Sequence, residues 1–150
     1  MNYVVDTDVL STTSPTRQGS VPDLPAWLER NSERLYLSVI SLMEISYGIA
    51  WLRHRQARRK AALLQAWFDD VTTFHKSRII MIDDDVAMRA GQLLATARAG
   101  GVEVSAEDAL IAATADLRAL TVLTANARHF APMGVRHLDP RAGLPPDGGP

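Results

Sequence analysis

With 150 residues and 47% hydrophobic content, the chain has enough apolar surface for one domain with a real core. A net charge of −1 excludes a polycation that coats itself in nucleic acid, so any basic surface is local. There is no cysteine, which excludes a disulfide framework and any metal site built on thiolates.

The N-terminal "MNYVVDTD" has neither a basic leader nor a long apolar stretch, and no apolar run reaches membrane-spanning length. A soluble, cytoplasmic protein is expected. Tyr3, Val4 and Val5 predict a buried strand, with Asp6 at its exit and Asp8 just beyond. A loop rich in turn formers, "STTSPTRQGSVP", leads to a short helix in "DLPAWLERN" and a second strand in "RLYLSV". In "SLMEISYGIAWLRHR", Leu42, Ile45, Ile49 and Leu52 recur at helical spacing. "QARRKAALLQAWFDDVTTF" predicts another helix, with Ala61, Leu64, Trp67 and Phe68 on one face. "RIIMID" reads as a third strand with almost no polar interruption. The helix predicted after it has Val86, Ala90, Leu93, Leu94 and Ala97 on one stripe and ends at Gly100–Gly101. "SAEDALIAATADLRA" is a helix of small residues, able to approach a sheet closely. "LTVLTAN" predicts a fourth strand and "GVRHL" a short fifth. Residues 141–150 offer little to bury and are expected to form a flexible tail.

Strands that are continuous apolar runs, alternating with helices, predict an α/β domain. Its central parallel sheet of four to five strands carries helices on both faces. Ligand sites in that architecture lie beyond the carboxyl ends of the strands, where the strand order reverses. Asp6 and the "TAN" of residues 124–126 both fall at such ends.

The acids have an ordinary reading as well. Asp6 and Asp8 suit a turn or a helix cap after a strand. "SLME" puts Glu44 three residues after Ser41, and "SAED" puts Asp108 three residues after Ser105. Both match the capping box, which places each carboxylate in the first turn of its helix. Capping does not exclude ligation, because first turns can face the same end of the sheet as Asp6.

Four stretches in order, "VVDTDVLS", "YLSVISLMEISYGIA", "EDALIAATADLRALTVLTANARHF" and "GVRHL", resemble the PIN-domain nucleases. Within that superfamily the chain is similar to the VapC-type toxins of bacterial toxin–antitoxin pairs. The resemblance implies a PIN-like fold over residues 1–140. It matches Asp6, Glu44 and Asp108 to the family's acidic triad, both catalytic and metal-binding, and puts Asn126 where a fourth acid or an amide stands. It also implies a ribonuclease that uses Mg²⁺ or Mn²⁺, forms a homodimer, and is restrained by a VapB-type antitoxin lying over the acidic site. The helical hairpin of residues 41–75 is the expected antitoxin groove. The chemistry agrees. Two like charges about 4 Å apart repel by about 4 kcal/mol at an effective dielectric near 20, so clustered carboxylates call for a cation or a proton. Oxygen ligands without thiolates suit Mg²⁺ or Mn²⁺.

Asp8 stands where the family often has Asn, and is read as a turn or supporting residue, with Thr124 and Asn126 as the fourth corner. His129 stands where relatives often have an acid, and is expected on the surface or in a hydrogen bond. The basic stretch of residues 53–60 suits a solvated hairpin or an RNA-backbone contact. "DDD" at 83–85 suits helix N-terminal charge. Trp27, Trp51 and Trp67 suit packing or a dimer contact. Two further readings stay open: a phosphatase or phosphotransferase using the Asp6–Asp8 pair, and a catalytically inactive PIN-fold binding protein.

Overall fold

The computed structural model describes residues 1–17 and 19–148. β1 (Tyr3–Val5) leads directly into α1 (Thr7–Ser11), and α2 (Leu24–Arg30) precedes β2 (Leu35–Ser38). The long helices α3 (Val39–His54) and α4 (Arg58–Phe74) form a hairpin, followed by β3 (Ile79–Ile80) and α5 (Asp84–Ala99). α6 (Ala106–Leu117), β4 (Thr121–Leu123), α7 (Ala127–Phe130) and β5 (His137–Leu138) complete the described elements.

The strands form one parallel sheet in the order β3-β2-β1-β4-β5. The sheet divides the interior into two cores because strand side chains alternate between its faces. Val4 and Val122 pack with Leu93, Ile111 and the alanines of α6 on one face. Tyr3, Val5, Leu37 and Leu123 pack with α1 to α4 on the other, around the fully buried Trp27. The layered architecture expected from the pattern of apolar runs is therefore present.

Local signals account for most helix ends. Asp83 caps α5, its Oδ1 accepting from Val86 N at 2.9 Å, with Asp84 and Asp85 in the first turn. Gly101 follows α5 at φ +81°, a conformation that suits a residue without Cβ. α6 ends differently: Ala119 takes φ +53° while Leu120 N reaches back to Ala115 O at 2.9 Å. That turn feeds the chain straight into β4.

Two expectations need correction. "RIIMID" contributes only the residue pair Ile79–Ile80 to the sheet, at its edge, and Met81 is exposed. An apolar run does not by itself make a central strand, because pairing on both sides is a matter of topology. The helix after β2 starts earlier than "SLME" suggested: Ser38 is its cap, accepting from Ile40 N at 3.1 Å. Ser41 is thus inside the first turn and buried rather than capping it.

The chain after β5 runs back to α2. Trp27 Nε1 donates to Pro145 O at 2.8 Å, Asn31 Nδ2 donates to Asp147 Oδ1 at 2.8 Å, and Gly148 N donates to Asn31 Oδ1 at 3.0 Å. These contacts belong to the segment expected as a tail, and its last two residues, 149 and 150, lie outside the described residues.

The helix of small residues can be tested directly. Ala112 is fully buried between α6 and the sheet, so Ala112→Leu is expected to cost about 1–3 kcal/mol, whereas Ala95→Leu on the exposed side of α5 stays within about 0.5 kcal/mol. Ala119→Gly relieves the left-handed strain and is expected to stabilise by up to about 1 kcal/mol. Urea denaturation midpoints at constant slope read all three.

Candidate active site

The site grows from the register between β1 and β4. Val5 pairs with Leu123, and Asp6 N donates to Leu123 O at 2.9 Å. Asp6 and Thr124 therefore leave the sheet side by side, at the point where the strand order reverses. Asp6 is only 4% exposed. Its Oδ1 accepts from Thr7 N at 2.8 Å, capping α1, and its Oδ2 accepts from Thr124 Oγ1 at 2.7 Å. The ordinary capping reading is correct, and so is the placement of a carboxylate at the mouth of the core. Burial, followed by the charge of Asp8, pushes the Asp6 carboxyl up to about 7, against the two hydrogen bonds it accepts.

Asp8 sits in the first turn of α1, with Oδ2 accepting from Ala125 N at 3.2 Å. Its Oδ1 is buried and has no hydrogen-bond partner among the described residues. Burial holds this carboxyl above its ordinary range too, opposed by backbone hydrogen bonds and by Arg17. Read in the sequence as a supporting residue, Asp8 turns out to be a principal neighbour of Asp6.

Glu44 reaches the same place from the second turn of α3, not from a capping position, because the helix begins at Val39. Thr7 Oγ1 donates to Glu44 Oε1 at 2.7 Å and lies 2.9 Å from Ser41 Oγ. Burial raises the Glu44 carboxyl, helped by the charges of Asp108, Glu107 and Asp8. Asp108 occupies the first turn of α6 as its capping pattern predicts, with its own N–H bonded to Ser105 Oγ at 3.1 Å. Its charge adds to the rise of Asp6, Asp8 and Glu44, so it belongs to the same acidic cluster.

The fourth corner is compact. Thr124 is fully buried, and its Oγ1 accepts from Asn126 N at 2.9 Å while donating to Asp6. The Asn126 side chain has no capping bond at the start of α7. His129 is hydrogen-bonded, as expected, but to one of the acids: Nδ1 lies 2.8 Å from Asp108 Oδ2. That link, and the Thr7 bridge to α3, were not read from sequence. Thr7 lies inside "DTD" and His129 inside "TANARHF", yet nothing local says which way either side chain turns.

Among the described residues, no three Asp, Glu or His side chains are gathered closely enough to hold a metal ion as they stand. The donor chemistry nonetheless fits a hard divalent cation. Burial and neighbouring acids raise the carboxyls of Asp6, Asp8 and Glu44, and a buried Asp8 oxygen has no donor among the described residues.

The raised Asp6 carboxyl makes stability depend on pH with a definite sign. The folded chain keeps this proton up to about pH 7, whereas the unfolded chain releases it near 3.8, so stability falls as pH rises across that window. The full effect is of order 4 kcal/mol above pH 7. Asp6→Asn is expected to melt higher than the native chain at pH 8, with the difference shrinking steadily toward pH 4. Thermal melts of both proteins across that range read it, and a difference independent of pH would contradict the placement.

Known proteins resemble the chain in sequence and in fold. Residues 3–134 match the family model described as the PIN domain. The chain is 31% identical over 138 residues to toxin FitB of Neisseria gonorrhoeae, covering 91% of this chain and 96% of that protein. It is 27% identical over 141 residues to VapC ribonuclease Y4jK of Sinorhizobium fredii, with the same two coverages of 91% and 96%. Among solved structures, FitAcB from Neisseria gonorrhoeae superposes with a TM-score of 0.80 at 30% identity, covering 93% of this chain and 98% of that one. DNA-bound VapBC from Salmonella typhimurium gives 0.68 at 25% identity, with coverages of 93% and 98%. The matched span contains β1 to β4 and every acid of the site, and by that match the chain belongs to the PIN domain family.

Proposed function

We propose that this protein is a metal-dependent endoribonuclease, the toxin of a toxin–antitoxin pair, and that a VapB-type antitoxin restrains it. One observation carries the reading: Asp6 and Asp8 from the start of α1, Glu44 from α3 and Asp108 from α6 come to the carboxyl edge of the sheet, where three of them are held above the ordinary carboxylate range. A fold does not spend four acids on one edge without a use for the charge. The likeness to a VapC ribonuclease and to FitB supports the assignment to RNA and to a toxin.

Asp6, Glu44 and Asp108 are the residues proposed to hold Mg²⁺ or Mn²⁺. Such an ion, when bound, acidifies a water and stabilises charge on a phosphodiester. Thr124 and Thr7 keep Asp6 and Glu44 aimed, and His129 does the same for Asp108. The Asn126 amide is uncharged and contributes at most a weak fourth ligand. Asp6 must give up its raised proton to ligate, so cation affinity is expected to rise with pH through about 7.

A groove of about 350 Å³ beside the acids suits the antitoxin. It runs between α1, α3 and α4, with Thr7 and Glu44 at one end and Ile49, Leu52, Leu64 and Trp67 along an apolar wall. A segment that folds on binding could lay apolar side chains there and a cation against Glu44. Met43, Tyr47 and Trp51 stand exposed at successive turns of α3, which supports a homodimer through that face.

The chemical test uses purified protein, single-stranded RNA and Mg²⁺ or Mn²⁺. Asp6→Asn and Asp108→Asn are each expected to abolish cleavage while remaining folded, and EDTA is expected to stop the native enzyme. Cleavage at the native rate by either variant, with EDTA harmless, would overturn the metal mechanism. Mn²⁺ calorimetry at pH 6 and pH 8 checks the coupling to Asp6, with tighter binding expected at the higher pH. Co-expression with an antitoxin from the same locus is expected to give a co-purifying complex and to relieve growth arrest.

A further inference from the structure

The site has a second side, toward β4 and β5, where Arg128 and Arg141 stand, and Arg17 borders both this side and the α3–α4 groove. Arg17 leaves the loop after α1, Arg128 belongs to α7, and Arg141 follows β5. A cavity of about 210 Å³ holds Asp8, Arg17, Ala125 and Arg141 in its wall. A second, of about 330 Å³, is formed by residues 125–128 and Arg141. Ala125 and Arg141 are common to both, so the two cavities adjoin at one guanidinium.

That guanidinium is fixed in place. Asp139 accepts from Arg141 Nε at 3.0 and 3.1 Å and from Nη2 at 2.6 Å, and Nη2 also donates to the Ala125 carbonyl. Nη1 has no partner among the described residues, and the side chain is 53% exposed. Arg17 and Arg128 are exposed and form no ion pair with any described residue. Arg17 shares the wall of the smaller cavity with Asp8, and its charge favours the ionised Asp8 carboxyl. The loop that Arg141 braces is the one whose Thr124 holds Asp6.

An anionic strand approaching four carboxylates is repelled, and it needs cations that are placed beforehand. Guanidinium groups meet phosphate oxygens with paired donors, and one already held in its plane loses little entropy on doing so. We propose that Arg17, Arg141 and Arg128 form a track for the phosphates of single-stranded RNA flanking the cleaved bond, with Arg141 as its fixed centre. This rests on the ribonuclease reading of the acidic site, and adds to it the direction in which the substrate lies.

The test measures binding of a labelled single-stranded RNA to the full chain carrying Asp6→Asn, over a range of salt. Arg17→Ala and Arg128→Ala, whose side chains support nothing in the fold, are each expected to weaken binding about three- to tenfold. Each is expected to flatten the dependence of log affinity on log salt by about 0.7. Arg98→Ala, which removes the same charge from the far end of α5, is expected to change neither quantity. Arg141→Lys keeps the charge but not the planar fork, and is expected to fall between native and Arg141→Ala. In the cleaving enzyme, Arg128→Ala should raise KM with kcat nearly unchanged. If RNA binds and the track variants behave like Arg98→Ala, the track is wrong and the ribonuclease reading survives. If the chain binds no RNA at all, both fall together.

Discussion

Asp6 is held at the mouth of the core by the register between β1 and β4, and the rest of the site depends on that constraint. A carboxylate one residue beyond a buried strand cannot turn back into solvent while its own N–H is bonded to the neighbouring strand. It is left with two donors, Thr7 N and Thr124 Oγ1, and with burial severe enough to raise its proton affinity to about 7. Every other acid then joins a place that is already costly to charge. The molecule carries this as stored electrostatic strain, offset by the two cores on either side of the sheet.

That strain explains why the polar side chains around the acids are so fully used. Thr124 serves Asp6 and Asn126 at once, Thr7 spans α1 and α3, and His129 ties α7 to α6 through Asp108. Apart from the local Thr124–Asn126 bond, each joins segments distant in the chain, so positioning one carboxylate also fixes the packing of two elements. The buried Asp8 oxygen without a donor is the exception, and Asp8 itself lines the cavity that Arg17 and Arg141 share. The two flanks of the site thus differ in character. One is a groove with an apolar wall, suited to a folded segment of protein, the other carries Arg128 and Arg141 and suits a phosphate chain, and Arg17 borders both.

The fold was largely legible in the chain because its signals are local and redundant. Apolar runs mark the strands, and Asp83 and Ser105 announce their helices by accepting from the first-turn N–H groups. Where local signals mislead, the cause is also physical. "RIIMID" has the composition of a central strand, but position within a sheet follows from the order of pairing, which composition does not encode. Two serines precede Glu44, and either could cap. Ser38 does so because it is the residue at which β2 ends, so Glu44 enters one turn later.

What the sequence by itself determined is the kind of residue available at each strand end: acids after β1, in α3 and at the start of α6, and a hydroxyl and an amide after β4. Those choices follow from residue type and short-range spacing, which a linear chain displays. Tertiary structure alone decided which atoms meet. Asp8 became a close partner of Asp6 because α1 begins without a linker after β1, and His129 found Asp108 because α7 packs against α6. Arg17 and Arg141 stand far apart in the chain and share a cavity only because β5 pairs beside β4 and carries the chain past Asp8. Side-chain direction and proton affinity depend on burial and on neighbours supplied by distant segments, so they exist only once the sheet has closed.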